Sequence, residues 1–273
     1  MTLLPLSQQV FAILRAFIEE HTGIHYQDED RELVADKVAG RALQAGFESL
    51  LDYYYFLRYD EAAGPEIDQL VDALVVNETY FFRESDQLRV LVDQLLAPLL
   101  STGARPRIWC AAASTGEEPL TLAMMLDERN LLHQVDIIAS DVSPRALSRC
   151  AAGIFGTRSL RALPDGVLGR HLMPNATGQV TVRDELKRAI TWQRVNLIDA
   201  AQVAALGEFD AILCRNVLIY FSDTTVRDVA SRLTASLRPN GFLLVGASES
   251  LLRFGSALLC EEHGGAFFYR KER

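Results

Sequence analysis

Apolar residues in the first quarter of the chain recur at intervals of three and four. Val10, Ile13, Leu14, Phe17 and Ile18 fall on one helical face, and Gly23 follows as a stop. The same reading predicts helices over 28–45 (closed by Gly46), 50–57 and 67–76, then a long connecting helix over 85–100 that ends near Gly103 and Pro106. From Arg107 the texture changes to short apolar runs alternating with amphipathic stretches. Strands are expected at 108–112, 135–140, 209–214 and 241–246. Helices are expected at 116–130, 144–152 and 224–237, with Ser143 placed to cap the middle one and Pro144 in its first turn. Strands alternating with helices predict a parallel sheet in an α/β domain. The segments 257–260 and 266–270 flank His263-Gly264-Gly265, a hairpin that adds an antiparallel strand. Residues 154–195 break the alternation, and Val180, Val182, Ile190 and Trp192 read as short strands of a small insertion.

This pattern divides the chain into a helical domain over 1–76, a linker and connecting helix over 77–106, and an α/β domain over 107–273 with a β insertion at 160–195. At 273 residues and 49% hydrophobic, the chain can build substantial cores. It has no apolar run near the ~18 residues that span a bilayer, so no membrane insertion is expected. The first six residues lack a basic leader, which favours a cytoplasmic protein. The cysteines Cys110, Cys150, Cys214 and Cys260 form no CxxC pair, and buried reduced thiols are the expectation for all four. The five histidines show no metal-ligand spacing, so no metal is expected.

Charge changes the picture more. The net charge of −9 disfavours nucleic acid as a partner. Residues 1–76 hold 14 acids against 5 bases, and the remaining residues hold 22 of each, so the acidity sits wholly in the helical domain.

Two strings carry the chemistry. Asn77-Glu-Thr-Tyr-Phe-Phe-Arg-Glu84 interleaves aromatic residues with hydrogen-bonding groups. Ala113-Ser-Thr-Gly-Glu-Glu-Pro119 joins a strand to a helix through small residues, which is how an open α/β sheet presents a nucleotide-like ligand. The dinucleotide pattern GxGxxG is absent, and Glu117 and Glu118 at a helix start would repel a pyrophosphate. Asp141 ends the second strand, where this class of sheet places an acid for ribose hydroxyls; an N-terminal acid for the following helix is the other reading. Arg215-Asn216 follow a core strand directly, and Asn196-Leu197 precede it.

Together with Cys214-Arg-Asn-Val-Leu-Ile-Tyr-Phe221, these strings resemble the CheR-type chemotaxis-receptor methyltransferases. The resemblance runs from Gly23 to Arg270. It implies a class I S-adenosylmethionine-dependent methyltransferase fold: a mostly parallel sheet with a closing antiparallel hairpin, preceded by a small all-α domain. It implies methyl transfer from S-adenosylmethionine to glutamate carboxylates on the cytoplasmic helices of a chemoreceptor, leaving S-adenosylhomocysteine. On this resemblance Asn77, Thr79, Arg83, Glu118, Asp141, Asn196, Leu197, Arg215 and Asn216 are cofactor-binding candidates. Arg83 and Tyr220 are the catalytic candidates, and Phe81, Phe82 and Tyr220 would exclude water. A monomer is expected. A silent S-adenosylmethionine-binding module and a small-molecule methyltransferase remain as alternatives.

The sequence departs from the family in three places. Leu120 replaces an aromatic residue. Phe155 replaces a frequent tyrosine, removing a hydroxyl from the expected pocket. The stretch matching the family's basic docking helix offers only Arg31, Lys37 and Arg41 as cations among many acids. Docking is then expected to rely on a less acidic substrate surface, or on the insertion near Val180 to Trp192.

Overall fold

Ser7 and Gly23 bracket the first helix, α1 (Gln8–Thr22): the Ser7 hydroxyl accepts the Val10 amide, and Gly23 closes the helix at φ +77°. The computed structural model describes residues 4–272. Helices α2 (Arg31–Gln44), α3 (Leu50–Tyr59) and α4 (Gly64–Leu74) follow, each stopping where its apolar spacing ends. The four helices bury Phe11, Leu14, Ile18, Val34, Val38, Tyr53 and Leu70 in a core of their own. Each such burial contributes ~1.5–3 kcal/mol.

The connecting helix is one rod in three parts. A π-helical turn, Leu91–Leu96, separates α5 (Ser85–Val90) from α6 (Ala97–Ser101), directly before Pro98, which has no N–H for a regular helical bond.

The remaining chain builds a seven-stranded sheet. Its strands are β1 (Arg107–Ala111), β2 (Asp136–Asp141), β6 (Ile190–Arg194), β7 (Phe209–Cys214), β8 (Leu237–Val245), β9 (Leu259–His263) and β10 (Ala266–Arg270). They lie in the order β6-β2-β1-β7-β8-β10-β9. Only β10 runs antiparallel to its neighbours, so the closing hairpin supplies the one reversal. Helices α7 (Glu117–Glu128), α8 (Pro144–Ala152), α9 (Asp184–Arg188), α10 (Ala200–Ala205) and α11 (Asp223–Ala235) connect the strands. The chain leaves β1 for β2 and β6 on one side and returns to β7 on the other. The topological switch point therefore lies between β1 and β7, where such sheets place ligands.

A second, three-stranded sheet contains β3 (Ile154–Phe155), β5 (Val180–Val182) and β4 (Leu172–Pro174). The expected insertion over 160–195 is corrected at both ends. It begins earlier, at Ile154, and it does not include Ile190 or Trp192. Those residues form β6, which pairs in parallel with β2 at the edge of the main sheet. A short run with one exposed face reads alike on either sheet, so alternation alone could not assign it.

Cys110, Cys150 and Cys214 are buried as expected, but Cys260 is exposed on β9. No helix among the described residues is long and apolar enough to cross a membrane.

Candidate active site

The helical domain forms one wall of the site. The Asn196 side-chain amide donates to the His21 carbonyl at 2.7 Å, and the His25 amide donates to the Tyr220 carbonyl at 2.8 Å. Asp72 on α4 accepts the Ser143 hydroxyl at 2.5 Å. These bonds seat the end of α1 and the end of α4 over the carboxyl ends of β2, β6 and β7. A cleft opens between them, lined from the helical side by Thr22, Ile24 and Val75 and from the sheet side by Ala113, Asp141 and Asn216.

Every one of the ten candidate residues lines this cleft: Asn77, Thr79, Arg83, Glu118, Asp141, Asn196, Leu197, Arg215, Asn216 and Tyr220. They come from five separate stretches of chain, and the switch point gathers them.

The turn after β1 is held in a costly conformation. Ala112 and Ser114 have φ of +58° and +51°, and Phe82, Glu84 and Asn216 across the site are also positive. Non-glycine residues enter this region only where surroundings over-determine them. Here the Ser114 amide donates to Asp141 at 2.8 Å, and the Ser114 hydroxyl donates to Asn77 at 2.9 Å. Gly116 needs its bareness for packing: a Cβ there would lie 2.9 Å from the Cys150 sulfur and 3.1 Å from Trp192. The close approach of α8 and β6 thus favours glycine here.

Asp141 performs a double task. One carboxylate oxygen accepts the Ser143 amide at 2.9 Å and the other the Ser114 amide, while Ser143 itself caps α8 through the Ala146 amide. Each oxygen keeps a further lone pair for a donor in the cleft. Burial pushes the Asp141 carboxyl above its ordinary 3.8, and the bonds from the Ser143 and Ser114 amides only partly oppose it.

Arg215 is buried, and the need for partners read from the sequence is met inside the protein. It donates to Glu118 at 2.7 Å, to Glu84 at 2.9 Å, to Gln87 at 3.2 Å and to the Arg83 carbonyl at 3.1 Å. Both acids sit in a conflict between burial and this cation. For Glu118 burial wins and pushes the carboxyl up. For Glu84 burial also opposes the charge, but the charge and hydrogen bond of Arg215 prevail and hold its carboxyl low. Asn196 likewise spends its side chain on the protein, its amide on His21 and its oxygen on the Ile198 amide.

Three other expectations change. Phe81 and Phe82 do not line the cleft; they belong to the sheet's apolar core, with Phe81 edge-on to Phe155 at 4.8 Å. Phe155 therefore removes no hydroxyl from the site. Glu117 turns away from the cleft, accepting the hydroxyls of Thr115 at 2.6 Å and Ser159 at 2.7 Å. Sequence reading missed Glu84 and Glu249. The Glu249 carboxylate gathers the amides of Asn216, Val217, Leu218, Ile219 and Gly246 at 2.7–3.3 Å, fixing the turn after β7. Its nearest signal was an acid after the strand-ending Gly246-Ala247-Ser248. Glycine fits at 246 because a Cβ there would lie 2.9 Å from the Asn216 backbone nitrogen and 2.6 Å from the Asn216 side chain.

Arg83 donates to the Glu78 carbonyl at 2.8 Å and lies 3.9 Å from Glu84, which leaves other guanidinium donors for the cleft. Burial pushes the Tyr220 phenol above its ordinary value, with the Arg83 charge opposing, so it remains a donor at neutral pH.

Residues 77–261 match the family described as the SAM binding domain of CheR methyltransferases, and residues 9–75 match its all-alpha domain. The chain belongs to the CheR methyltransferase family. It is 36% identical to chemotaxis protein methyltransferase 2 of Vibrio cholerae over 251 residues, covering 90% of this chain and 87% of that one. It is 34% identical to chemotaxis protein methyltransferase 1 of Pseudomonas aeruginosa over 250 residues, covering 88% and 90%. The Escherichia coli chemotaxis protein methyltransferase is 32% identical over 252 residues, covering 90% and 86%. Membership spans the helical wall and the sheet alike, so both sides of the cleft belong to the shared architecture.

Proposed function

We propose that this CheR chain methylates glutamate side chains on the cytoplasmic helices of a chemoreceptor, using S-adenosylmethionine. The observation that carries the reading is the donor set of the cleft. The start of α7, which would receive a pyrophosphate, presents Glu118 to the cleft, already paired with Arg215. Asp141 keeps lone pairs for hydroxyls. A ligand with hydroxyls, an ammonium and no phosphate fits such a set. Asp141, Asn77 and Thr79 would hold it on one side and Arg83 and Asn216 on the other, with Leu197 and Val217 as apolar lining and Arg215 bracing the wall through Glu118 and Glu84.

When bound, S-adenosylmethionine supplies a methyl group made electrophilic by its sulfonium. The acceptor is already a nucleophile: a glutamate with a pKa of ~4.3 is ionised at neutral pH, so no general base is needed. The task left to the protein is alignment and dryness. Arg83 can orient a carboxylate through the donors of its fork that the Glu78 carbonyl leaves free. Tyr220, half-buried on the facing wall, offers a phenolic hydrogen to the same region. The meeting of an anion and a cation loses charge in the transition state, which a site shielded by the helical wall favours.

The test is transfer of a labelled methyl group to membranes that carry candidate receptors, followed by base treatment. A receptor ester releases label as methanol under mild base. Base-stable label, or labelled small molecules with unlabelled receptor, would move the reading to another acceptor.

A further inference from the structure

Of the three cations in the stretch matching the family's docking helix, two are engaged elsewhere. Lys37 donates to the Leu74 carbonyl at 2.8 Å, and Arg41 is clamped on Glu66, which also accepts the Tyr53 hydroxyl. Another cation, Arg161, touches two residues that line the cleft, Glu78 and Tyr80.

After β3 the chain makes a 3₁₀ turn, Thr157–Leu160, that is pinned to the site. The Phe81 amide donates to the Ser159 carbonyl at 2.9 Å, and the Ser159 hydroxyl donates to Glu117 at 2.7 Å. This turn carries Arg158 and Arg161, both exposed. The Arg161 guanidinium lies 3.8 Å from the centroid of the Tyr80 ring and ion-pairs with Glu78, and both partners line the cleft. Arg83 approaches the same ring at 5.9 Å. Arg158 has no acidic partner among the described residues.

We propose that Arg158 and Arg161 form the acid-reading rim of the active site, receiving carboxylates of a glutamate-rich helix, with Glu78 occupying Arg161 until substrate displaces it. The inference rests on the proposed acceptor. Three features support it. Stacking on Tyr80 fixes the plane of the Arg161 fork, so a carboxylate meets donors already oriented. The Glu78 pair is 58% and 40% exposed, so it stabilises the free protein by at most ~1 kcal/mol and is cheaply exchanged. Neither arginine belongs to the acidic α2 segment, whose charges repel such a helix.

The experiment measures binding of a glutamate-rich helical peptide, and separately of S-adenosylhomocysteine, to the full chain. Arg158→Ala plus Arg161→Ala should weaken peptide binding about tenfold, the scale of two exposed ion pairs, while product binding is kept. Glu78→Gln should tighten peptide binding, and Arg161→Lys, which keeps charge but loses the flat stack, should fall between. Unchanged peptide affinity in the double variant overturns the proposal. Should the double variant lose product binding as well, Arg158→Ala decides alone: its side chain has no acid to release, and an unchanged peptide affinity overturns the proposal equally. Wild-type transfer to receptor membranes is scored in parallel, so failure of the acceptor assignment is read apart from failure of the rim.

Discussion

The Ser114 amide and the Asp141 carboxylate meet at 2.8 Å, and that bond couples the turn after β1 to the end of β2. It holds Ser114 at a positive φ that the residue would not adopt alone. Asp141→Ala should therefore lower affinity for S-adenosylhomocysteine by about 1.5–3 kcal/mol, since it removes a charge-assisted acceptor and releases the strained turn. Asp141→Asn keeps one carbonyl acceptor and should lose less. Calorimetry on the two variants checks the order, and equal affinity to wild type would leave Asp141 as a structural acid only.

The same residue predicts a pH dependence. Burial raises its carboxyl above 3.8, so the proton returns while pH is still above the ordinary aspartate range. Hydroxyl donors bind the carboxylate form, hence cofactor affinity should be complete at neutral pH and fall as pH drops through the raised value. The contribution to folding has the opposite sign: it is present below about 3.8 and lost as pH rises through the raised value, so keeping the charge costs stability at neutral pH. Titrations of affinity against pH should show the fall in wild type and a flatter profile in Asp141→Asn.

Much of this site was legible because its residues sit at strand ends, where apolar periodicity stops abruptly at Asp141 and Arg215. Pattern locates such positions without knowing what they touch. What it could not supply was partnership across distance. Arg215 finds Glu118 and Glu84 from 97 and 131 residues away, and Glu249 reaches back 33 residues to Asn216. Phe81 and Phe82 were misplaced for a related reason. A run of two aromatics has no period, and the positive φ of Phe82 turns the chain in a way no propensity encodes. The strand at Ile190 was assigned to the insertion because nothing local distinguishes a sheet edge from a separate sheet.

Arg83→Ala and Tyr220→Phe should reduce methyl transfer more than stability. Arg83 belongs to no apolar core, Tyr220→Phe keeps the ring that packs against the helical core, and both residues line the cleft. Losing an oriented donor at the reacting group is expected to slow single turnover by about 10- to 100-fold, or ~1.4–2.8 kcal/mol. Rates with both ligands saturating, compared with thermal melts, separate the two effects. Near wild-type rates in both variants would remove them from the chemistry.

Glu249→Gln should damage the site from beneath. One carboxylate accepts five backbone amides from two turns, and the amide side chain offers a single acceptor. The loss should be about 2–3 kcal/mol in stability. Cofactor affinity should fall with it, because Asn216 is positioned by this acid. Denaturant melts with and without S-adenosylhomocysteine would show both. A variant with normal stability and weak binding would mean that Glu249 faces the ligand instead.

The final prediction concerns Lys37 and Arg41, the two cations that a docking helix would need. Lys37 is half-buried and satisfies the last carbonyl of α4, and burial pulls its ammonium below the ordinary lysine value. Arg41 shares Glu66 with Tyr53 in a cluster where the arginine and glutamate side chains are only 17% and 14% exposed. Arg41→Ala would leave Glu66 without its cation in a largely dry setting, at a cost of about 2 kcal/mol. The double variant Lys37→Ala plus Arg41→Ala should therefore melt at lower temperature. Its salt dependence of receptor methylation should match that of wild type, because Arg41 is already neutralised by Glu66 and Lys37 is turned onto the end of α4. Rates measured from low to physiological salt provide the check, at a temperature where both proteins are folded. A steep wild-type fall that disappears in the folded double variant would show that these two residues meet the receptor after all, and that their bonds to Leu74 and Glu66 open on docking.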